Sequence, residues 1–445
     1  FEEKYLKKFG PQGEVPPFKS DEAQEALSPL YQPSDYDDEY ALSKYFDSAE
    51  KFARELFGSS YRSKRPKGFK YVIDDMDTRD TLESNSGWPR YQKRKQVIED
   101  EILDAQTGKC FEYPAVLLYR QYKAKLRPVW MYPMSMNLKE YTYSQVIQAT
   151  LKESPLLWVR DYLSPWEGFE YVKRTLTRQW SGSQIDGGDT TKMDANMRPA
   201  QIRLVFEIVK NLFQQSYWDD LYKTMLQVNY IDLVVSDYQK AVGVHGLASG
   251  SGWTQLVETV LQLFMAWTSR FTGQGIGDDF VWLCNLSDVE LVDYLSQFGL
   301  PANPEKQNVG CEDVTFLQRL FVQGFMSLAE PKVLGAYSAS VMSWNSILHP
   351  EKMWNKKLWN SDMMNYRNIQ IAENLVDDPC LDEFCKWLIN GHRSTRSFVK
   401  KTDDQLLQVE RQARLLTGLV PSYNREKLNQ SITTFTVLRK LRELA

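Results

Sequence analysis

Two adjacent acids stand where a β-hairpin is expected to turn. Asp278 and Asp279 follow Gly277 in the stretch "GQGIGDDFVWLC", residues 273–284, and an apolar run leads away from them. Neighbouring carboxylates repel each other, so a turn gains no stability from the second acid. Asp and Gly are also common turn residues, and the tripeptide alone fits an exposed turn. With Asp189 brought alongside across a sheet, the three carboxylates could instead hold two Mg²⁺ ions for nucleotidyl transfer.

A second acid follows Asp189 at a spacing that suits recognition of a sugar. The stretch "DTTKMD", residues 189–194, ends in Asp194. If Asp189 binds metal beyond a strand end, Asp194 can accept a hydrogen bond from a ribose 2′-OH, which distinguishes RNA from DNA. Asp194 could equally cap the helix that Pro199 is expected to begin, because Asp is common at helix starts.

Two further stretches could contact a nucleotide. In "GLASGSGWT", residues 246–254, small residues allow close backbone approach to a template or sugar, although a flexible connector has the same composition. The loop lacks the Lys-Ser/Thr ending of a Walker loop. The stretch "LLYRQYKAKLRPVWMYP", residues 117–133, interleaves aromatic residues with cations that include Arg120, Lys125 and Arg127. Such cations can bind a triphosphate, but a solvated strand shows the same pattern.

The elements around these stretches predict an α+β layer. Apolar positions recur at helical spacing after Pro199 and again from Trp253 to Trp267, and residues 286–300 read as a helix that ends near Gly299. The order is strand end, helix, Gly/Ser loop, helix, acidic hairpin, helix, which predicts helices packed on one face of a small antiparallel sheet. Prolines clustered with acids predict an irregular arm over residues 1–40, and from about Leu328 the pattern is mostly helical.

Length and composition predict a soluble globular protein with two or three subdomains. The chain has 445 residues, 42% of them hydrophobic and 25% charged. No apolar stretch reaches transmembrane length, and five scattered cysteines suggest the reduced thiols of an intracellular protein. The net charge of −4 conceals two basic segments, residues 61–127 and 392–445, which could bind nucleic acid or form solvated helical faces.

Taken in chain order, these stretches resemble the seven motifs of viral RNA-dependent RNA polymerases. The resemblance covers roughly residues 84–319. "SNSGWP" (84–89) resembles motif G, residues 120–127 motif F, "DTTKMD" motif A, "SGSGWTQLVE" (249–258) motif B, "GDD" motif C, "NPEK" (303–306) motif D and "FLQRL" (316–320) motif E. The sequence around motifs A and B is most similar to the polymerases of small double-stranded RNA viruses, picobirnaviruses first and partitiviruses second.

The resemblance implies a right-hand polymerase fold, an α+β arrangement of fingers, palm and thumb. The palm would carry the GDD hairpin on a small antiparallel sheet, and the thumb would be mostly helical. The implied divisions are an N-terminal arm (1–60), fingers with motifs G and F (61–180), palm with motif A (181–198), a fingers insertion (199–243), palm with motifs B to E (244–325), and thumb with C-terminal region (326–445).

The resemblance also implies roles for individual residues. The catalytic set would be Asp189, Asp278 and Asp279, which bind two Mg²⁺ or Mn²⁺ ions, and Lys306, which protonates pyrophosphate. Nucleotide contacts would come from Arg120, Lys125, Arg127, Asp194, Ser249, Thr254 and Glu258. Template RNA would meet Ser86, Gly87, Pro89 and Gly250. The wider family often has Asn where this sequence has Glu258, so hydrogen bonding to the ribose is expected to differ.

The implied activity is template-directed RNA synthesis for replication and transcription of a viral RNA genome. Its partners would be template and product RNA, ribonucleoside triphosphates and a capsid protein, with no membrane, in the virion interior or host cytoplasm. Three alternatives remain on the sequence alone. A reverse transcriptase usually has a bulky aromatic residue where Asp194 stands, a non-enzymatic RNA-binding or capsid protein would not need three aligned carboxylates, and in a structural protein the GDD would have no role.

Overall fold

The computed structural model describes residues 1–188, 190–351, 357–416 and 431–445. Most of this chain is helical, with short 3₁₀ turns between helices. The α-helices, in chain order, are α1 (Glu3–Leu6), α2 (Asp21–Tyr31), α3 (Phe46–Phe57), α4 (Phe69–Thr78), α5 (Ile98–Thr107), α6 (Met134–Lys152), α7 (Leu157–Tyr162), α8 (Phe169–Gln179), α9 (Met193–Asn196), α10 (Pro199–Val209), α11 (Trp218–Tyr230), α12 (Thr254–Ser269), α13 (Asp288–Ser296), α14 (Ser340–Leu348), α15 (Ser361–Ala372), α16 (Leu381–Gly391), α17 (Arg393–Val399), α18 (Asp403–Arg414) and α19 (Thr436–Leu444).

The strands of the described residues form three small sheets. They are β1 (Ala115–Tyr122), β2 (Lys125–Met131), β3 (Ile185–Gly188), β4 (Leu233–Ser236), β5 (Gln239–Ala241), β6 (Thr272–Ile276), β7 (Asp279–Leu283), β8 (Asn308–Gly310), β9 (Asp313–Phe316), β10 (Arg319–Met326) and β11 (Leu334–Ser338). The strand orders are β2-β1-β4-β5, β6-β7-β3-β8 and β11-β10-β9. Neighbouring strands are antiparallel except β1 and β4, which run parallel.

The sheet β6-β7-β3-β8 carries the acidic hairpin, as predicted, and is covered on both faces. Successive strand residues point to opposite faces, so Phe280 and Trp282 join the large core formed with α10 and α12. Val281 faces the other way, into a core shared with Val314 of β9 and Phe321 of β10. Helices therefore cover one face, as the sequence predicted, and a second sheet helps to cover the other.

The helices predicted around the acidic sheet are confirmed. α10 begins at Pro199, and its predicted apolar stripe is buried. α12 follows the Gly/Ser loop directly and is buried along nearly its whole length. α13 begins after Ser287, whose side chain accepts a hydrogen bond from the Glu290 N–H, and it ends ahead of Gly299, which adopts φ +73°. Local start and stop signals thus set these boundaries.

The first forty residues are more ordered than the sequence predicted, because they include helix α2. Ser20 caps this helix by accepting a hydrogen bond from the Ala23 N–H. Ala23, Leu27 and Leu30 form one buried face that packs toward β2. Pro29 lies inside the helix, where it costs a backbone hydrogen bond. The burial of the apolar face outweighs that cost, since tertiary packing supplies most helical stability in proteins.

The C-terminal helices form a core of their own, which is joined to the rest of the chain by a buried carboxylate. Asp377 accepts hydrogen bonds from Ser327 Oγ at 2.7 Å, from the Ala336 N–H at 3.1 Å and from Lys173 Nζ at 3.2 Å. After β11 the described elements are all helical, which confirms the pattern predicted from about Leu328. The residue boundaries assigned to arm, fingers, palm and thumb stay a prediction.

No helix in the described ranges combines the length and the apolar composition needed to cross a membrane. All five cysteines are free thiols, as expected from their scattered positions.

Candidate active site

The acidic hairpin turns through two residues, Gly277 and Asp278, and helix α12 holds this turn in place. Gly277 adopts φ +57°, a conformation that glycine reaches without steric cost. Its N–H donates a hydrogen bond to Thr259 Oγ1 at 2.9 Å, and Gln262 Nε2 donates to its carbonyl oxygen at 2.5 Å. Asp278 is therefore exposed on a fixed turn, with Asp279 half-buried beside it at the start of β7.

Strand β3 ends next to this hairpin. Gly188 pairs with Phe280, the residue that follows Asp279. A Cβ atom on Gly188 would lie 1.7 Å from Phe280 Cζ, so only glycine fits there. Asp189, predicted to bind metal, follows Gly188 in the sequence and lies outside the described residues.

Four acids gather at the turn. The side chains of Asp194 in α9 and Glu258 in α12 form a hydrogen bond with each other. Glu258 Oε2 lies 3.4 Å from the position that a Cβ on Gly277 would occupy. Burial, followed by the charges of Asp194 and Asp278, raises the pKa of Glu258 well above its ordinary value. Burial and the charge of Asp278 raise the pKa of Asp194 to about 6. The charge of Asp278 thus opposes ionisation of both Glu258 and Asp194, whereas the hydrogen bond from Glu258 acts to lower the pKa of Asp194. A cation bound at the turn would relieve the repulsion.

The chemistry of these donors suits a hard divalent cation. Asp278 and Asp279 offer carboxylate oxygens, which Mg²⁺ and Mn²⁺ prefer as ligands. Among the described residues, which leave out Asp189, no three His, Cys, Asp or Glu side chains are grouped to hold a metal ion. The fit to the predicted ions therefore rests on the oxygen donors and on the mutual repulsion of the acids.

The β1–β2 hairpin carries the predicted nucleotide-binding cations. The charge of Arg127 offsets part of the rise that burial causes in the pKa of Asp194, so this guanidinium acts directly on the acid cluster. Lys125 is exposed at the start of β2. Arg120 lies opposite Arg127 in the hairpin, but its guanidinium binds both carboxylate oxygens of Glu351 at 2.6 and 2.9 Å. A nucleotide contact from Arg120 would therefore compete with an existing ion pair.

The Gly/Ser loop, residues 246–254, packs against the protein itself more closely than the sequence suggested. A Cβ on Gly250 would lie 1.8 Å from the carbonyl oxygen of Trp130, so this glycine serves internal packing as well as any predicted approach to a template. Thr254 Oγ1 lies 3.1 and 3.2 Å from two carbonyl oxygens of the loop, to which it donates. Ser249 Oγ is buried and has no hydrogen-bond partner among the described residues. Of these side chains, Ser249 keeps its full hydrogen-bonding capacity for a ligand.

The segment predicted to meet template RNA, residues 84–89, is partly internal. Ser86 is fully buried, and its Oγ accepts a hydrogen bond from the Gln92 N–H at 3.2 Å. Gly87 is also buried, at φ +72°, whereas Pro89 is exposed. Ser86 and Gly87 are therefore not open to direct contact with a ligand, whereas Pro89 is, and its contact with template RNA stays a prediction.

Lys306 is exposed at the end of a 3₁₀ turn, Pro304–Lys306, which Asn303 caps. The segment just before this turn is tied to the residues that follow Asp189 in the sequence, because the Thr191 N–H donates to the Pro301 carbonyl oxygen at 2.8 Å. Lys306 therefore belongs to the neighbourhood of the acid-bearing segment, and its catalytic role stays a prediction.

Two residues that hold the acidic turn, Thr259 and Gln262, were not identified from the sequence. A signal for them exists: with Glu258 they are the polar positions within the otherwise apolar stretch 256–266 of helix α12. Buried polar groups need hydrogen-bond partners, so polar residues on the face of a core helix indicate a specific contact. Their partner is a backbone peptide group in the turn, and the sequence pattern does not identify it.

In sequence, the chain is similar to viral polymerases. It is 26% identical over 343 residues to a "Potential RNA-dependent RNA polymerase" of Human picobirnavirus (strain Human/Thailand/Hy005102/-), a match that covers 70% of this chain and 62% of that protein. It is 24% identical over 182 residues to the "RNA-directed RNA polymerase" of Cryptosporidium parvum virus 1 (strain KSU-1), covering 40% of this chain and 33% of that protein. Both matches span less than two thirds of the relative's own length. No family model matches the chain.

In structure, the chain is similar to the RNA-dependent RNA polymerase of a human picobirnavirus, with a TM-score of 0.79 and 21% identity over 100% of this chain and 87% of that chain. The crystal structure of the insertion loop deletion mutant of that polymerase matches equally well, at a TM-score of 0.79. These matches confirm both the resemblance to picobirnavirus polymerases and the α+β fold class inferred from the sequence. The chain has a right-hand polymerase fold.

Proposed function

We propose that this chain is an RNA-directed RNA polymerase that copies an RNA template from ribonucleoside triphosphates. The observation that carries the proposal is the acidic turn: Asp278 and Asp279 stand on a hairpin fixed by Thr259 and Gln262, inside a polymerase fold. The reaction is attack of the growing strand's 3′-hydroxyl on the α-phosphate of the incoming nucleotide, with pyrophosphate as the leaving group.

Asp278 and Asp279, together with Asp189, would hold two Mg²⁺ or Mn²⁺ ions. Bound there, such ions lower the pKa of the attacking hydroxyl and neutralise charge on the leaving pyrophosphate. The chain's own contribution is preorganisation, because two side chains of α12 fix the Gly277 peptide before any ligand arrives. Carboxylates held in position need little rearrangement on binding, which favours the charged transition state.

The basic hairpin would bind the triphosphate of the incoming nucleotide. Arg127 already acts on the acid cluster, and Lys125 is exposed on the same strand. A guanidinium binds phosphate oxygens in a bidentate manner, while an ammonium acts as a point charge. Arg120 would join them only by leaving Glu351. Lys306, exposed near the acid-bearing segment, would donate a proton to the departing pyrophosphate.

Ribose selection would fall to Asp194, Ser249 and Glu258. Asp194 and Glu258 share a hydrogen bond next to the turn, and the buried Ser249 hydroxyl keeps its capacity to bind a ligand. A 2′-OH both donates and accepts, so a carboxylate and a hydroxyl suit it. Thr254 would support this loop through its internal hydrogen bonds.

Template RNA would run past Pro89 and Gly250, with Ser86 and Gly87 shaping the segment that guides it. Template, product RNA and ribonucleoside triphosphates are the proposed partners, together with a capsid protein. The proposed setting is replication and transcription of a viral RNA genome in the virion interior or the host cytoplasm.

The direct test is extension of RNA by the purified chain, supplied with an RNA template, ribonucleotides and Mg²⁺ or Mn²⁺. We expect Asp278→Asn to lower incorporation on the order of a hundredfold or more, since ion-mediated charge stabilisation supplies several kcal/mol. Template affinity should stay close to that of the unaltered chain, because basic surfaces supply it. Asp237→Asn is the matched control, an exposed acid in the β4–β5 turn, and it should leave incorporation intact.

Absence of RNA synthesis by the unaltered chain with either ion would refute the proposal. Parallel loss of incorporation and template binding in Asp278→Asn would indicate misfolding or a different site. A preference for deoxynucleotides over ribonucleotides would move the assignment to reverse transcription.

A further inference from the structure

We propose that Glu140, on helix α6, is a positioning residue for the polymerase reaction because it fixes the loop of residues 249–254 that would contact nucleotide and template. The inference deepens the proposed function and rests on it. The contact joins two elements far apart in the sequence, since Glu140 and Ser251 are separated by 111 residues.

Glu140 is fully buried, and its carboxylate accepts three hydrogen bonds. Oε1 accepts from Ser251 Oγ at 2.5 Å, and Oε2 accepts from the Gly252 N–H at 2.7 Å and from Asn137 Nδ2 at 3.2 Å. Two of the three donors belong to the loop, so this one carboxylate holds consecutive loop residues against α6.

An ionised carboxylate at this buried position lowers the stability of the fold. All three donors are uncharged, and a buried carboxylate without a cationic partner carries a large desolvation penalty. Burial accordingly raises the pKa of Glu140 to about 7, although the hydrogen bonds from Ser251 and Gly252 act to lower it. Glutamine would avoid the penalty, but its amide nitrogen would oppose a donor, because an amide has one acceptor oxygen and a carboxylate has two. We infer that accepting from all the donors at once is what the carboxylate contributes.

The backbone of the loop lies in close contact with α6 and with β2 at two glycines. A Cβ on Gly252 would lie 2.6 Å from Tyr141 Cε1, and a Cβ on Gly250 would lie 1.8 Å from the Trp130 carbonyl oxygen. The Gly250 carbonyl oxygen also accepts a hydrogen bond from Asn137 Nδ2 at 3.2 Å. Close backbone contact and directed hydrogen bonds together specify one position for the loop.

The hydrogen-bond network around Glu140 extends through Asn137 to residues 84–89, the segment that would guide the template. Arg94 Nη2 donates to Asn137 Oδ1 at 3.0 Å, and Arg94 Nε donates to the Asn85 carbonyl oxygen at 3.2 Å. Asn137 therefore links residues 84–89 with loop 249–254, and Glu140 holds the loop end of this link. Loss of Glu140 should disturb the alignment of template and nucleotide more than the binding of RNA to basic surfaces.

The first test measures the loop directly and needs no enzymatic activity. In Glu140→Gln, hydrogen–deuterium exchange of residues 249–254 should become faster, because the Gly252 N–H loses its carboxylate acceptor. Helices α10 and α15 should exchange as in the unaltered chain. Unchanged exchange in the loop would overturn the proposal, whether or not the chain proves to be a polymerase.

The second test separates positioning from stability. For Glu140→Gln we expect kcat for ribonucleotide incorporation to fall on the order of tenfold to a hundredfold, while the template Kd changes by about twofold at most. The matched control is Glu373→Gln in the C-terminal helices, a buried carboxylate that accepts from the Thr436 and Val437 N–H groups at 3.0 and 2.9 Å. The control should lower the melting temperature and leave kcat at a permissive temperature unchanged.

A double variant identifies the route. Ser251→Ala alone should lower kcat, and adding it to Glu140→Gln should cost little more, because both remove the same contact. Fully additive losses, or a kcat for Glu140→Gln equal to that of the unaltered chain, would refute the positioning role. If the unaltered chain makes no RNA, the proposed function fails by itself, and hydrogen exchange still decides whether Glu140 holds the loop.

Discussion

Gln262 donates a hydrogen bond from its side-chain amide to the carbonyl oxygen of Gly277, at a distance of 2.5 Å. Gln262 lies on the helix that begins at Thr254, directly after the loop proposed to contact nucleotide and template. Gly277 precedes the two acids proposed to hold metal. One helix therefore joins the loop proposed to contact nucleotide to the turn that carries the two acids, and its hydrogen bonds hold them in one relative position without a ligand.

The hydroxyl of Thr259 makes the companion bond to this turn, so its removal should slow catalysis. Thr259→Val leaves the buried Gly277 N–H without an acceptor, at a cost of about 1–3 kcal/mol. If that cost falls on the catalytic position of Asp278, kcat should decrease by about tenfold. Single-nucleotide incorporation kinetics measure it. Thr268→Val is the control on the same helix, because its hydroxyl donates to the Phe264 carbonyl oxygen within α12, at 2.8 Å. An equal loss in both variants would contradict the prediction.

Glu258→Gln should change sugar discrimination more than stability. The side chains of Glu258 and Asp194 share a hydrogen bond, and neighbouring acids oppose the ionisation of Glu258. Glutamine keeps the shape, removes this repulsion and fixes an amide donor toward Asp194, so the melting temperature should hold or rise. The ratio of ribonucleotide to deoxynucleotide incorporation should shift by roughly fivefold, equivalent to about 1 kcal/mol of hydrogen bonding. A lowered melting temperature with an unchanged ratio would assign Glu258 to the core alone.

Much of this site could be predicted from the sequence because its signals are local. Pro199 marks the start of α10, Ser287 caps α13, and Gly277 next to two acids marks the turn. Each signal acts within a few residues through backbone conformation or a capping hydrogen bond. Apolar spacing then identified the faces of α10 and α12 that are buried.

The remainder depends on long-range contacts that no local pattern encodes. Arg120 and Arg127 are equivalent cations on one hairpin, yet Arg120 pairs with Glu351, which lies 231 residues away. Helix α2 is stabilised by burial against β2, which composition could not reveal. The role of the Glu140 carboxylate likewise depends on hydrogen bonds from Ser251 and Gly252, which are distant in the sequence.

Arg127→Lys should impair nucleotide use without weakening template binding. The guanidinium of Arg127 acts on Asp194 within the acid cluster, a place suited to the triphosphate of an incoming nucleotide. Lysine keeps the charge but loses bidentate geometry. Loss of one charge-assisted contact costs about 1.5–3 kcal/mol, so kcat/KM for ribonucleotides should fall on the order of tenfold to a hundredfold.

Three measurements separate this role from a structural one: ribonucleotide kinetics, template affinity and melting temperature. Arg174→Lys is the matched control, since Arg174 forms an exposed pair with Glu330 and has no proposed role in the site. If Arg127→Lys lowers the melting temperature and the ribonucleotide kinetics do not change, the Arg127 side chain serves packing and is not part of the nucleotide site.

The free energy of unfolding should depend on pH through Glu140. Burial raises the pKa of this carboxyl from 4.5 to about 7 in the folded chain. The folded state therefore binds the proton more tightly than the unfolded state does, and the stabilisation is complete below pH 4.5 and is lost as pH rises through about 7. The expected loss across this window is roughly 3 kcal/mol.

Glu140→Gln cannot titrate at this position, so its free energy of unfolding should fall less than that of the unaltered chain as pH rises from 4.5 to about 7. Chemical denaturation at several pH values measures how the free energy of unfolding depends on pH in each of the two proteins. Glu83→Gln is the control, because hydrogen bonds from Lys93 and Lys95 lower the pKa of Glu83, which gives a contribution of opposite sign that is lost only as pH falls. Parallel slopes for Glu140→Gln and the unaltered chain would mean that the buried carboxylate does not bind its proton more tightly on folding. In that case burial of the Glu140 carboxylate against loop 249–254 would carry no desolvation penalty.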